Sequence, residues 1–346
     1  MYVKLASSFG PIKHLRQTGP AKMLQKMRSG NIQYAILLGI AVGCSVAVRY
    51  LPGGYDAFTF YLRTPNFDTT APAWVYLVTY PISLLGWPLG WQFLTFISVL
   101  SAGVTGFVWA NRRWWIVLVA TPMLWNIWLG QIEVFPIVGL LLTGLILQRK
   151  IHVAWLGVSW LALLTKPQVG LGILILQIYW IWRDTELRPR AFLYAIGVFA
   201  AVVALTVALW PSWIPNWLLT LRTFTPTWWN AAIWPYGLLA WPIVLVASQK
   251  TSHQQKLRMF SAASLLGSPY FALYHCTTLL TVTDSFAAIL LSWGIVLIGN
   301  GMPEKWMKWG WLLPAGILVN DLAVRLLALR RANLARSDAT AAGRTQ

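Results

Sequence analysis

Acidic residues are scarce in this chain. Nine Asp and Glu stand against 27 Lys and Arg in 346 residues, and charged residues make up only 10%. A soluble domain carries about 25%, so a molecule wetted over its whole surface is excluded. Histidine and cysteine are rare too, with four and two copies. Cys44 and Cys276 both lie in apolar segments, which excludes a disulfide framework and a cysteine-based metal site. Acids and histidines do not recur at metal-ligand spacing, so no metal and no cofactor is expected. The stretch up to Asn31 has no acid and no signal-peptide pattern. It reads as a basic cytoplasmic arm (1–31), part of it suited to lie along a membrane surface.

Apolar residues fill the space that charge leaves. They make up 58% of the chain, mean hydropathy is +0.60, and apolar runs recur from Ile32 to Leu329. This composition predicts an all-α polytopic membrane protein. Many of the 23 tryptophans sit at run ends, as in an interfacial belt. The reading has about twelve hydrophobic segments within 32–329, several of them short. Residues 52–86 form a first extracytoplasmic loop with a short interfacial helix, and 330–346 a basic cytoplasmic tail, expected to be disordered. In this topology both termini are cytoplasmic, and of the 27 basic residues only Arg49, Arg63, Lys166, Arg222, Lys305 and Lys308 fall on the other side. That asymmetry is the positive-inside pattern. It assigns the net charge of +18 to an anionic leaflet and membrane lipids, not to nucleic acid.

Three apolar runs are interrupted by polar residues. Trp114–Trp128 and Val134–Leu147 flank Gly130-Gln131-Ile132-Glu133. His152–Leu164 and Val169–Trp182 flank Thr165-Lys166-Pro167-Gln168. Met259–Gly267 and Tyr270–Val282 flank Ser268-Pro269, with His275 just beyond. A bilayer core about 30 Å thick needs roughly 20 helical residues, so runs this short place their tips below the surface. Polar groups at that depth mark function, and irregular backbone there is tolerated when it lines a protein-walled, watery recess. In this topology all three interruptions face outward, beneath a first loop carrying Asp56 and Asp68. A carboxylate can take a proton from a hydroxyl nucleophile, and a lysine can hold a phosphate leaving group. Those are the needs of glycosyl transfer from a lipid-phosphate sugar.

These elements resemble glycosyltransferase family 87, of the GT-C superfamily. Gly130-Gln131-Ile132-Glu133 looks like its Gly-Gln-x-Asn element, with Glu133 in place of the Asn. Leu164-Thr165-Lys166-Pro167-Gln168 is similar to its Lys-Pro element. Asp56 followed by Phe60-Tyr61 resembles its first-loop Asp with aromatics, and Ser268-Pro269 with His275 its late Ser-Pro…His element, here one residue longer. The resemblance covers roughly residues 50 to 280. It implies a GT-C-like fold and an inverting, metal-independent hexosyltransferase of the plasma membrane, acting on the extracytoplasmic face. The donor would be a polyprenyl-phosphate sugar, often mannose, and the acceptor a lipid or glycan. Asp56 would be the catalytic base. Lys166, His275 and Arg222 would be candidates for the donor phosphate. Gln131, Glu133, Gln168 and Tyr61 would hold the sugar or organise the site.

Plainer roles exist for each group. Asp56 can cap a Pro-Gly-Gly turn, and Asp68 can sit in a turn of its own. Glu133 and Lys166 can form an ion pair across the hairpins, and Lys166 can snorkel. Arg222 can meet lipid headgroups. Asp321 and Arg325, four apart on the last helix, are expected to pair. A transporter or lipid-sugar flippase is the alternative function, since broken helices with intramembrane charge serve transport as well. A non-catalytic membrane subunit is a third.

Overall fold

The computed structural model describes residues 20–343 except 66, 68, 69, 111, 112, 185, 187, 226, 250 and 300. Side chains are described from residue 31 to 334, except at 332. Asp68 therefore lies outside the described residues. Among these residues the chain is helical, with no strand. The helices are α1 (Pro20–Val48), α2 (Tyr76–Ser83), α3 (Leu89–Trp109), α4 (Ile116–Val119), α5 (Thr121–Leu129), α6 (Val134–Leu147), α7 (Trp155–Leu164), α8 (Pro167–Arg183), α9 (Arg188–Leu209), α10 (Trp213–Thr223), α11 (Ala240–Ala247), α12 (His253–Leu266), α13 (Cys276–Leu280), α14 (Phe286–Ile298), α15 (Pro303–Trp306) and α16 (Leu312–Gly343).

Four stretches are long and apolar enough to cross a membrane: Asn31–Val48, Leu89–Trp109, Arg188–Leu209 and Pro303–Arg331. Shorter apolar helices fill in between them, including Val134–Leu147, Trp155–Leu164 and Phe286–Ile298. By helix length, then, four segments rather than twelve qualify as full spans. The outer surface is strongly apolar: Leu193, Val246, Leu290 and Leu297 are each more than half exposed. Such a surface is unusual for a soluble monomer and is that expected of a helical membrane protein.

The short helices end where the sequence stops them. Pro122 cannot continue α4, so the backbone turns extended at Ala120 (ψ 145°) before α5 begins. Gly130 ends α5 in the left-handed conformation (φ 72°), its N–H donating to the Asn126 and Ile127 carbonyls. Lys166 precedes Pro167, which disfavours helical backbone, and it adopts φ −132°, ψ 77°. Pro167 then opens α8 at its first turn, where a missing N–H costs nothing. The third break follows Leu266. Ser268 Oγ donates to the Tyr270 carbonyl at 2.6 Å and accepts from the Tyr270 N–H at 3.4 Å, closing a turn. A 3₁₀ turn (Leu273–His275) leads into α13.

The core is formed chiefly by α3, α5, α6, α8, α12 and α13 with parts of α16. Helix α8 lies so close to α12 that a Cβ on Gly172 would sit 2.2 Å from the Phe260 carbonyl. Small residues permit this approach. A buried polar knot joins α6, α7 and α8. Gln177 Nε2 donates to Thr143 Oγ1 (3.1 Å) and Ser159 Oγ (3.0 Å), and Ser159 Oγ donates to the Gly139 carbonyl (2.8 Å).

Two sequence expectations are corrected here. Asp321 does not pair with Arg325. Its carboxylate, 1% exposed, accepts from Arg258 of α12 at 2.7 Å, and Arg258 also meets Asp284 at 2.8 Å. The buried carboxylate takes the guanidinium that can grip it through two nitrogens. Of the tail expected to be disordered, residues 330–343 form the end of α16, and 344–346 lie outside the described residues. The alanine-rich sequence after Leu329 favours helix.

Candidate functional site

The first loop is fastened to the tip of the α5–α6 hairpin. The Gly54 N–H donates to the Trp128 carbonyl at 2.6 Å, and Trp128 Nε1 donates to the Pro52 carbonyl. Trp91 Nε1 binds the Ile127 carbonyl at 3.1 Å from the other side. There is no room for side chains in this contact. A Cβ on Gly53 would lie 2.6 Å from the Trp128 carbonyl oxygen, and one on Gly130 2.5 Å from the Ala57 Cβ. Gly54 and Gly130 also have φ of +76° and +72°, conformations that side chains disfavour. The Pro-Gly-Gly and Gly-Gln elements thus fit one another, and this contact delivers Asp56 beside Gln131.

Gln131 is 3% exposed and bonded at both ends. Its Nε2 donates to Asp56 Oδ2. Its Oε1 accepts from Lys166 Nζ at 3.1 Å, with Tyr61 Oη at 3.5 Å. One amide therefore joins the first loop to the tip of the α7–α8 hairpin. Trp74 holds that tip from outside, its Nε1 donating to the Leu161 carbonyl (3.0 Å) and to Thr165 Oγ1 (3.2 Å).

Behind Lys166 lies Glu133, with no exposed surface. Its Oε1 is 3.8 Å from Lys166 Nζ and 3.8 Å from His275 Nε2, and its Oε2 accepts from Thr278 Oγ1 at 3.3 Å. The expected ion pair across the hairpins is present, with a histidine as third member. His275 Nδ1 lies 2.8 Å from the Ala272 nitrogen and 3.1 Å from its carbonyl oxygen, while Nε2 faces Glu133. Lys166 Nζ also sits 5.4 Å above the Tyr274 ring, a cation–π contact.

All three helix breaks open into one cavity of about 390 Å³. Asp56, Tyr61, Gln131, Lys166, Gln168 and His275 line it. Its remaining wall is largely aromatic, with Phe224, Trp228, Trp229 and Tyr270 prominent. Asp56 lies outside the four long apolar stretches, between α1 and α2. Burial pushes its carboxyl up to about 6, while Lys166 and the Gln131 hydrogen bond pull the other way. A carboxylate poised near neutrality, beside an ammonium and open to a cavity, suits proton abstraction from a neutral hydroxyl. Among the described residues no three His, Cys, Asp or Glu side chains are grouped to hold a metal.

Two expected site residues are placed differently. Glu133 does not line the cavity; it stands behind Lys166 and His275. Arg222 is outside the lining and exposed. It lies on α10, where Thr220 faces the cavity and Phe224 follows the helix as its C-cap, and two residues of helix turn Arg222 away from Thr220. The sequence reading missed the aromatic wall. Trp228 and Trp229 read as interfacial anchors, and Tyr270 and Tyr274 carried no signal beyond their closeness to Ser268 and His275. Compared with protein-family models, with curated proteins and with solved structures, the chain has no match.

Proposed function

We propose that the chain is an integral membrane glycosyltransferase. It would move a hexose, mannose being the first candidate, from a polyprenyl-phosphate carrier to a hydroxyl of a lipid or glycan acceptor. The observation that carries this reading is the pairing of Asp56 with Lys166 through Gln131 on one cavity wall. In this reaction Asp56 takes the acceptor's hydroxyl proton. The acceptor oxygen forms a bond to the anomeric carbon as the bond from that carbon to the phosphate oxygen breaks. The leaving group keeps the electron pair as a phosphate monoester, whose charge Lys166 offsets, with the His275 ring on the same cavity wall. Attack opposite the leaving group inverts the anomeric centre.

The same reading places the cavity on the extracytoplasmic face of the plasma membrane. The shorter helices then add partial or full crossings between the four long ones, and both termini are cytoplasmic. The resemblance to glycosyltransferase family 87 supports it through Asp56, Gly130-Gln131, Lys166-Pro167 and His275. The test is transfer by purified protein in liposomes supplied with radiolabelled polyprenyl-phosphate mannose and a membrane lipid extract. Wild type should form a labelled product and Asp56→Asn should not. Label crossing the bilayer with no covalent product would replace this reading by that of a flippase.

A further inference from the structure

Gln168 stands apart from the other polar groups of the cavity. It lines the wall, is 6% exposed, and its Oε1 has no hydrogen-bond partner among the described residues. Tyr270 lines the same wall. An amide oxygen stranded in an apolar, aromatic surround is costly unless a donor reaches it. Gln168 is also two residues from Lys166, on the first turn of the same helix.

From this we infer that Gln168 reads one hydroxyl of the sugar carried on the phosphate, accepting its hydrogen bond through Oε1. The inference rests on the reading of Lys166 as the phosphate-holding group. A ligand anchored by its phosphate at Lys166 places the attached sugar next to the first turn of α8. Tyr270, on the same cavity wall with its ring centroid 4.9 Å from that of Phe224, offers an aromatic face alongside. The cavity is small for a ligand site, at the low end of the usual range of about 300–1,000 Å³. That size suits a single sugar unit with the reacting end of an acceptor. A site built around a polar partner rejects the analogue that lacks it, because its own polar group is left unpaired.

The test is calorimetric binding of a short-chain polyprenyl-phosphate mannose and its monodeoxy analogues to the full chain in detergent. One analogue should bind wild type about 10- to 100-fold more weakly than the parent. In Gln168→Met, which keeps the volume and removes the amide, that ratio should fall to near one. The ratio is taken within each variant, so it does not depend on the fraction of protein folded. Equal binding of all analogues to wild type, or an undiminished penalty in the variant, overturns the inference. Binding with the expected pattern but no sugar transfer would retire the transferase reading and leave Gln168 as a sugar-reading residue. No binding of any analogue overturns both.

Discussion

Lys166→Met isolates the energetics of the buried charges. It removes the ammonium that faces Glu133 at 3.8 Å and Gln131 at 3.1 Å. Glu133 has no exposed surface, so its carboxylate cannot turn to water. Taking one partner from a buried pair costs about 3–5 kcal/mol. Thr278 and His275 remain beside Glu133, which places the expected cost near the lower end, about 3 kcal/mol. Glu133→Gln alone should cost less, about 1 kcal/mol, because Lys166 keeps Gln131 and faces the cavity. In the double variant no uncompensated charge is left at the pair, and stability should return to within about 1 kcal/mol of wild type. Equilibrium unfolding in mixed detergent micelles, followed by far-ultraviolet circular dichroism, measures all four proteins. If the double variant loses about 4 kcal/mol, the two effects simply adding, the pair is only geometric and the reasoning fails.

The remaining predictions concern the site's reach. Transfer should require ionised Asp56, so its rate should fall as pH drops through about 6 and hold above it. Gln131→Met removes a hydrogen bond that favours the ionised form, so it should move this limb to higher pH; a limb that stays put refutes the coupling. Gly130→Ala sets a methyl against Ala57 in a left-handed backbone and should cost about 1–3 kcal/mol with a matching loss of activity, read by thermal unfolding and transfer assay. Arg222→Ala should leave transfer within about twofold of wild type, since surface changes away from a site cost little. A loss as deep as that of Lys166→Met would bring Arg222 back into the site.

The polar interruptions were legible because a Gln, a Glu or a Lys inside an apolar run is conspicuous, and Gly130 and Pro167 mark the turns that carry them. The ion pair of Glu133 with Lys166 was legible as well, since a buried carboxylate needs a counter-charge. The aromatic wall was not, because composition cannot say whether Trp228 faces lipid headgroups or a cavity. Helix α10 was hidden by Pro211 and Pro215 in a Trp-rich stretch that reads as loop. Pro215 falls in the first turn of α10, where proline is tolerated, and only that helix reveals that Arg222 points away. The partner of Asp321 was misread because spacing along one helix is visible in sequence, while Arg258, 63 residues away, is not.

The fastening of the first loop to Trp128 bears on how such a site would work over time. Asp56 is not carried on a lid that must find its place at every turnover. Carbonyl, indole and amide bonds order residues 52–56 once, when the chain folds. The entropy of bringing carboxylate and ammonium together is thus met at folding and not drawn from substrate binding. A preorganised pair also needs little dielectric rearrangement as charge shifts from a hydroxyl to a phosphate. Motion in the cycle is then left to the substrates, whose entry and departure would set its pace.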